Sequence, residues 1–429
     1  MFTSFSTALS ALNATSTAID VVGNNLANMN TPGFKTSAVL FRDLVTQSLG
    51  AGLGDTQVGF GTGTPLTVRQ FTQGALQTSG GLLDAAIQGD GFFVINNAAG
   101  NQMFTRAGNF QTDKDGNLLT DTGDKVQGWT TIDPLTGNVN TNGPIGNIIV
   151  PVGSLKAPNA TSSFTVDMNL NSSATAGASS DKTIPMTIYD SLGTAHVVTL
   201  AFDKTGPNTW HFTVNLPTSD VVTPGEEVLV SSTNTLTFND SGQLIDPAPA
   251  DPVAGTPATP ITFTMPNLAD GARPGDTITW NPYNADGVTG RITQFGQPTS
   301  SSASSQNGTG AAQLVHVGLA DGGGILAQYS DGGQVIVGQV ALAGIRNPDT
   351  LIATGNNSYQ TSSRTATASI GLPGTGGRGT LIGGSVEAST VDIAREFTNL
   401  IVYQRGYEAN GKVVTTADQL SQDTINLIR

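Results

Sequence analysis

Few side chains in this sequence are equipped for chemistry. It has three histidines and no cysteine, and 32 Asp and Glu residues are scattered over 429 positions. His196, His211 and His316 are too widely spaced for a helical metal site, and the first two fall in β-like runs, so no metal ligand is expected among them. Asp113, Asp115, Asn117 and Asp124 match several ligand positions of a calcium loop. Leu118 stands where that loop needs glycine and no glutamate closes it, which leaves a hairpin turn. The run Gly374-Thr375-Gly376-Gly377-Arg378-Gly379 satisfies GxGxxG, but dinucleotide binding needs a buried strand before it and a helix directly after. Its flanks are Ser369–Pro373 and the pair Gly383-Gly384, so it reads as a connector. No carboxylate pair is set off by an apolar setting that would separate two pKa values for acid–base work. Catalytic residues, cofactors and metals are all expected to be absent.

What remains is architecture. At the N-terminus Phe5, Leu12, Ile19 and Leu26 stand seven apart, with Ala8, Thr15 and Val22 between them, the spacing of a coiled-coil seam. At the other end Ile393, Leu400, Tyr407, Val414 and Ile428 fall on one seven-residue series interrupted by Ser421, with Phe397 and Ile425 one turn away. Helices are predicted from about Thr3 to Asn28 and from about Ser389 to Leu427, and the two stripes predict that they pair. The first ends at Asn28–Gly33, where Thr31-Pro32-Gly33 stops a helix and forces a sharp turn.

Between the helices the chain reads as β. Charged residues are 12% of the total and glycine reaches 53, which suits short strands and many turns. Alternating residues from Phe104 to Val126 flank a turn at Asp113–Asn117. Ile184–Tyr189, His196–Phe202 and Thr209–Val214 predict a three-strand meander. Shifts in composition divide the chain into nested parts: a terminal helical domain (1–30 and 386–429), extended connectors (31–75 and 371–385), a middle β domain (76–156 and 310–370) and an inserted outer β domain (157–309). The fold class expected is thus multidomain, with paired, coiled-coil-like terminal α-helices and nested, mainly β middle and outer domains.

A formal charge of −14 argues against a nucleic-acid partner. No stretch is apolar for long enough to span a membrane. The first 34 residues carry one charge, Asp20, with neither a basic start nor a continuous apolar run, so a cleavable secretory signal is not expected. That same low charge leaves the outer faces of the first helix poorly suited to water and suited to burial against neighbouring copies. A secreted glycan-binding protein or hydrolase would need an aromatic platform or a carboxylate pair in a cleft, and aromatics are only 6% of the chain.

Asn24-Asn25-Leu26-Ala27-Asn28 followed by Thr31-Pro32-Gly33-Phe34-Lys35 resembles the signature of the bacterial flagellar rod and hook axial proteins. Further blocks are similar and in the family's order: Phe71–Leu76, Leu83–Phe93, Phe104–Phe110, Glu387–Asp392 and Tyr403–Asn410. Shorter members lack a large outer insertion, which this chain has. The resemblance implies the subunit of a flexible tube that acts as a universal joint between rod and filament; the alternative is a distal rod protein with an enlarged outer domain. It further implies that the terminal helices line a channel, with Phe5, Leu12, Ile19, Leu26, Asn24, Asn25, Asn28, Thr31, Pro32, Gly33 and Phe34 at one end and Ile393, Phe397, Leu400, Tyr407, Val414, Ile425 and Ile428 at the other serving self-assembly. The implied partners are other copies of the chain in a helical homopolymer, the distal rod, hook cap and hook–filament junction proteins, and the flagellar type III export apparatus. The implied location is extracellular, in the flagellum.

Overall fold

The computed structural model describes residues 2–44, 46–48, 57–133, 139–153, 155–177, 183–251 and 254–427. It divides into two compact units, one of Met1–Val152, Val315–Gln328 and Gln334–Arg429, the other of Gly153–Leu314 and Tyr329–Gly333.

The first unit contains both long helices, α1 (Phe2–Ala27) and α2 (Ile393–Leu427). The second starts four residues later than the sequence suggests, because Asp392 caps it: its Oδ1 accepts the backbone N–H of Ala394 at 2.9 Å and of Arg395 at 3.2 Å. Ser389–Val391 instead continue an extended segment, in which Thr390 N–H donates to the Phe34 carbonyl. α1 packs along α2. The end of α1 (Val21, Val22) and the start of α2 (Arg395, Glu396, Asn399, Tyr403) line one cleft, so the helices run antiparallel.

The seven-residue spacing holds along α1, but the contact falls on different positions of the stripe than its largest side chains suggest. The buried stripe of α1 is Ala8, Ala14, Thr15, Ala18, Val22 and Asn25, mostly the small positions between the large ones. Leu12, Ile19 and Leu26 are half-buried on its flanks, and Phe5 is exposed. On α2 the less exposed line is Glu396, Asn399, Leu400, Tyr403, Gly406, Asn410, Val414, Ala417 and Ser421. Ile393, Phe397, Tyr407 and Ile425 are exposed, and Ile428 lies outside the described residues. Two helices touch along one narrow line, and small side chains let their backbones approach. The bulky residues are left facing outward.

The main sheet of this unit is antiparallel, in the order Gln334–Val340, Lys125–Trp129, Phe92–Asn96, Gln102–Thr105, Ser358–Gln360 and Ile352–Gly355, and separate strand pairs such as Ser37–Leu40 with Leu66–Arg69 and Leu76–Thr78 with Ser385–Glu387 lie toward the helix roots. Phe92, Val94, Phe104, Ala343 and Tyr359 form part of its core. The turn from Asp113 to Asn117 is a hairpin connection, with Asp113 Oδ1 accepting from the Asp115 and Asn117 N–H groups. Asn117 Nδ2 also donates to Asp113 Oδ2 at 2.8 Å, and this side-chain bond, followed by the two backbone bonds, holds the Asp113 carboxyl below its ordinary pKa.

The second unit is a sandwich of two sheets. One is all antiparallel, with Thr183–Tyr189, Ala195–Lys204, Thr209–Asn215, Thr235–Phe238 and Leu244–Asp246 in chain order, so the expected meander is present and longer than foreseen. The other centres on Ser163–Asn171, which pairs in parallel with Thr277–Trp280 and Ile292–Phe295 and antiparallel with Ser300–Gln306. Strict alternation along Ser163–Asn171 buries Phe164, Val166, Met168 and Leu170, and along Ala195–Lys204 buries His196, Val198, Leu200, Phe202 and Lys204. The two inner faces meet in one core around Trp280, whose ring stacks on Phe164 and meets Phe212 edge-on at 5.2 Å.

Candidate assembly site

The segment from Asn24 to Lys35 is where α1 gives way to β structure, and nearly every polar group in it is engaged. Asn25 is buried and acts as a piece of backbone: its Nδ2 donates to the Ser37 carbonyl at 2.9 Å while its Oδ1 accepts the Ser37 N–H at 3.0 Å. Asn28 Nδ2 donates to the Asn24 carbonyl at 2.9 Å, and Asn28 Oδ1 accepts from Thr31 Oγ1 at 3.2 Å, closing the helix end. The Pro32 carbonyl accepts from Asn357 Nδ2 at 3.0 Å. Gly33 has φ +70°, and a Cβ there would sit 2.6 Å from the backbone nitrogen of Ala107, so only glycine fits. Its N–H donates to the Glu387 carbonyl at 2.7 Å, and Phe34 is buried beside it.

Beneath this turn lies a buried ionic cluster. Lys35 Nζ is 2.6 Å from Glu387 Oε1, and Arg106 is 3.3 Å from Glu387 Oε2, with all three side chains almost wholly out of water. Glu387 Oε1 also accepts the Gly74 N–H at 2.7 Å. Lys35 Nζ donates to the Thr72 carbonyl at 2.7 Å, and Arg106 donates to the Gly89 carbonyl and lies over the Phe92 ring. Burial pushes Lys35 and Arg106 below their ordinary pKa values, and the carboxylate of Glu387 offsets part of that effect. One carboxylate thus joins the chain leaving α1, the stretches at 72–74 and 89–106, and the chain entering α2. The cluster pairs its one amine, Lys35, with a carboxylate and closes both off from solvent. Its work is mechanical: it fixes both helix roots to the β unit.

Sequence reasoning named Asn24, Asn25, Asn28, Thr31, Pro32, Gly33 and Phe34 here, and the structure brings them together. It missed the ionic cluster: it sought a pair of carboxylates in an apolar setting, whereas Glu387, 1% exposed, is a single buried carboxylate shared by two cations. The available signal was that Lys35 and Arg106 are single charges in otherwise uncharged blocks. A second tie joins α1 to the loop after it, where Ser10 Oγ accepts the Thr62 N–H at 3.2 Å and the backbone passes so close that a Cβ on Gly61 would strike Ser10. The Phe41 and Tyr403 rings, 6.0 Å apart, link that same loop to α2. Among the described residues, no helix is long and apolar enough to cross a membrane.

A helix pair rooted by its two ends in a β unit, with a second β unit inserted in the chain of the first, is the architecture that the resemblance to flagellar axial proteins implied. Family profiles agree along the chain: residues 5–35 match the flagella basal body rod protein, 86–169 the flagellar hook protein FlgE/F/G D1 domain, 159–309 the flagellar basal body protein FlaE D2 domain and 382–427 the flagellar basal body rod FlgEFG protein C-terminal region. The chain is 32% identical to the flagellar hook protein FlgE of Escherichia coli K12 over 99% of both chains, and 32% identical to that of Borreliella burgdorferi over the whole of both. A crystal structure of Helicobacter pylori flagellar hook protein FlgE2 covers 71% of this chain and 99% of its own at 13% identity and a TM-score of 0.49, too slight a likeness to add weight. The chain belongs to the flagellar hook protein FlgE family.

Proposed function

We propose that this chain is the repeating subunit of the bacterial flagellar hook, a structural protein and not an enzyme, which polymerises into a flexible tube between rod and filament. The observation that carries the reading is the unpartnered apolar face of the helix pair. Phe5, Leu9, Ile393, Phe397, Ile401 and Ile425 are all exposed in the single chain, on helices whose roots are tied to the β unit. Large apolar side chains exposed along both helices are costly in water and are covered when copies stack, at about 25 cal/mol per Å² removed from solvent. In this reading the terminal helices (1–30 and 386–429) line the channel, the middle β domain forms the wall and the inserted domain (157–309) faces outward. The residues from Phe5 to Phe34 and from Ile393 to Ile428 named above are then the assembly surface. Bending follows from sliding between rigid β bodies. The distal rod, hook cap and junction proteins would meet the two ends of the tube, and the subunit would reach the cell exterior through the flagellar type III apparatus. A distal rod protein with an enlarged outer domain has less support, since the full-length relatives are hook proteins. Electron microscopy of the purified chain under polymerising conditions tests the proposal: curved tubes of uniform diameter are expected, and a protein that stays monomeric would overturn it.

A further inference from the structure

His196 begins the inward-facing series of its strand, yet it meets carboxylates where the positions after it meet hydrocarbon. Its Nδ1 lies 2.8 Å from Asp220 Oδ2; its Nε2 lies 3.2 Å from Asp190 Oδ2 and 3.7 Å from Asp270 Oδ2. Each of the last two carboxylates has its other oxygen committed to backbone. Asp190 Oδ1 accepts the Leu192 and Thr194 N–H groups at 2.8 Å each, and Asp270 Oδ1 accepts the Ala272 N–H at 3.0 Å. Both Oδ2 atoms are thereby held toward the same ring nitrogen. When Nδ1–H donates to Asp220, Nε2 presents its lone pair to the two oxygens, and the three atoms lie within 4.8 Å of one another. This is the arrangement in which a carboxylate sets the tautomer of a metal-binding histidine. A tetrahedral ion with ligand bonds near 2.1 Å holds its ligands about 3.4 Å apart, between the two distances seen here.

We propose that Asp190, His196 and Asp270 form a site for a divalent transition-metal ion of the Zn²⁺ type, with Asp220 orienting the imidazole. The chemistry suits it. One imidazole and two carboxylates are the donor set of a borderline cation, and three carboxylates around one buried ring leave an excess of negative charge for that cation to neutralise. Asp190 and His196 are buried, while Asp270, about a quarter exposed, leaves a path for entry. The ion would join the turn after Thr183–Tyr189 to the loop holding Asp270. That turn packs so tightly on the chain entering and leaving this unit that a Cβ on Gly193 would lie 2.6 Å from Pro158 Cβ and 3.0 Å from Ala311 N. A bound metal therefore stiffens the root of the inserted β unit.

The test is calorimetric titration of Zn²⁺ alone, with Mg²⁺ as a second arm, into the full chain after chelator dialysis, together with thermal unfolding. One Zn²⁺ per chain is expected, with no comparable Mg²⁺ binding and a higher unfolding temperature on Zn²⁺ addition. Asp270→Asn keeps the bond to Ala272 N–H, so the unit folds; affinity should fall at least tenfold and the thermal shift should vanish. Asp220→Asn should weaken binding by about 10–100-fold. Absence of Zn²⁺ binding by the wild-type chain, or binding undiminished in Asp270→Asn, would overturn the proposal.

Discussion

Lys35 Nζ and Glu387 Oε1 are 2.6 Å apart although 352 positions separate them in the chain, and neither side chain touches solvent. This pair and Arg106 stand between the two helix roots and the β unit. Severing it removes the only anion of a buried group holding two cations. Glu387→Gln should destabilise the first unit by about 3–5 kcal/mol, the cost of leaving buried charge uncompensated. Chemical denaturation of the full chain measures it, and a loss below about 1 kcal/mol would contradict the role assigned to Glu387.

Gly33 makes a narrower prediction. Its φ of +70° and the nearness of Ala107 leave no room for a methyl group. Gly33→Ala should cost at least about 1–3 kcal/mol and loosen the turn. Faster amide exchange at Phe34 and Ser37 would report that loosening, whereas Gly23→Ala, with open space around its Cα, should not produce it.

The outward face of the helix pair should matter for assembly and not for folding. Phe397→Asp or Ile401→Asp places a charge on exposed positions, so circular dichroism and the unfolding midpoint should change little. Leu12→Asp and Ile19→Asp alter half-buried positions and should also loosen the pair. All four should abolish polymers seen by electron microscopy; tubes of normal form from Phe397→Asp would count against the assembly surface proposed.

The segments that enter and leave the sandwich of the second unit meet in an isolated β-bridge. Asn159 and Thr309 exchange backbone hydrogen bonds of 2.9 and 2.8 Å. Replacing 160–308 with a short Asn-Gly turn should therefore leave the first unit folded and able to polymerise. A truncated chain that folds but never assembles would show that the inserted unit belongs to the tube contact.

Tyr283 predicts a response to alkali. Its Oη donates toward the carbonyls of Pro247 and Leu244, and burial, with Asp246 nearby, pushes its pKa up to about 12. The folded state thus prefers the neutral phenol. Its contribution to stability is complete below the unfolded pKa near 10 and is lost as pH rises from there toward 12. Tyr283→Phe should flatten that part of the stability–pH curve. Tyrosinate absorbance that appears for this residue at its ordinary pH would refute the shift.

The terminal helices, the β character of the middle, the meander beginning at Ile184 and the turn at Asp113–Asn117 were all legible, because each is written in spacing between near neighbours. The start of α2 was placed four residues early, although the seven-residue series itself begins at Ile393, directly after the capping Asp392. The seam was legible as a stripe but not as a contact. Periodicity shows that Phe5, Leu12 and Ile19 share a face with Ala8 and Thr15; it does not say which side of that stripe a partner covers.

Local order, then, was determined by the sequence alone, since 3.6-residue and two-residue periods and the stop at Thr31-Pro32-Gly33 depend on neighbours in the chain. Only the tertiary structure decided that Lys35, Arg106 and Glu387 share one buried cluster, and that His196 faces Asp190, Asp220 and Asp270. The reason is physical. A charge is tolerated in the interior when its partner arrives from elsewhere, and the closure of hundreds of residues that delivers the partner leaves no mark on the residues beside it.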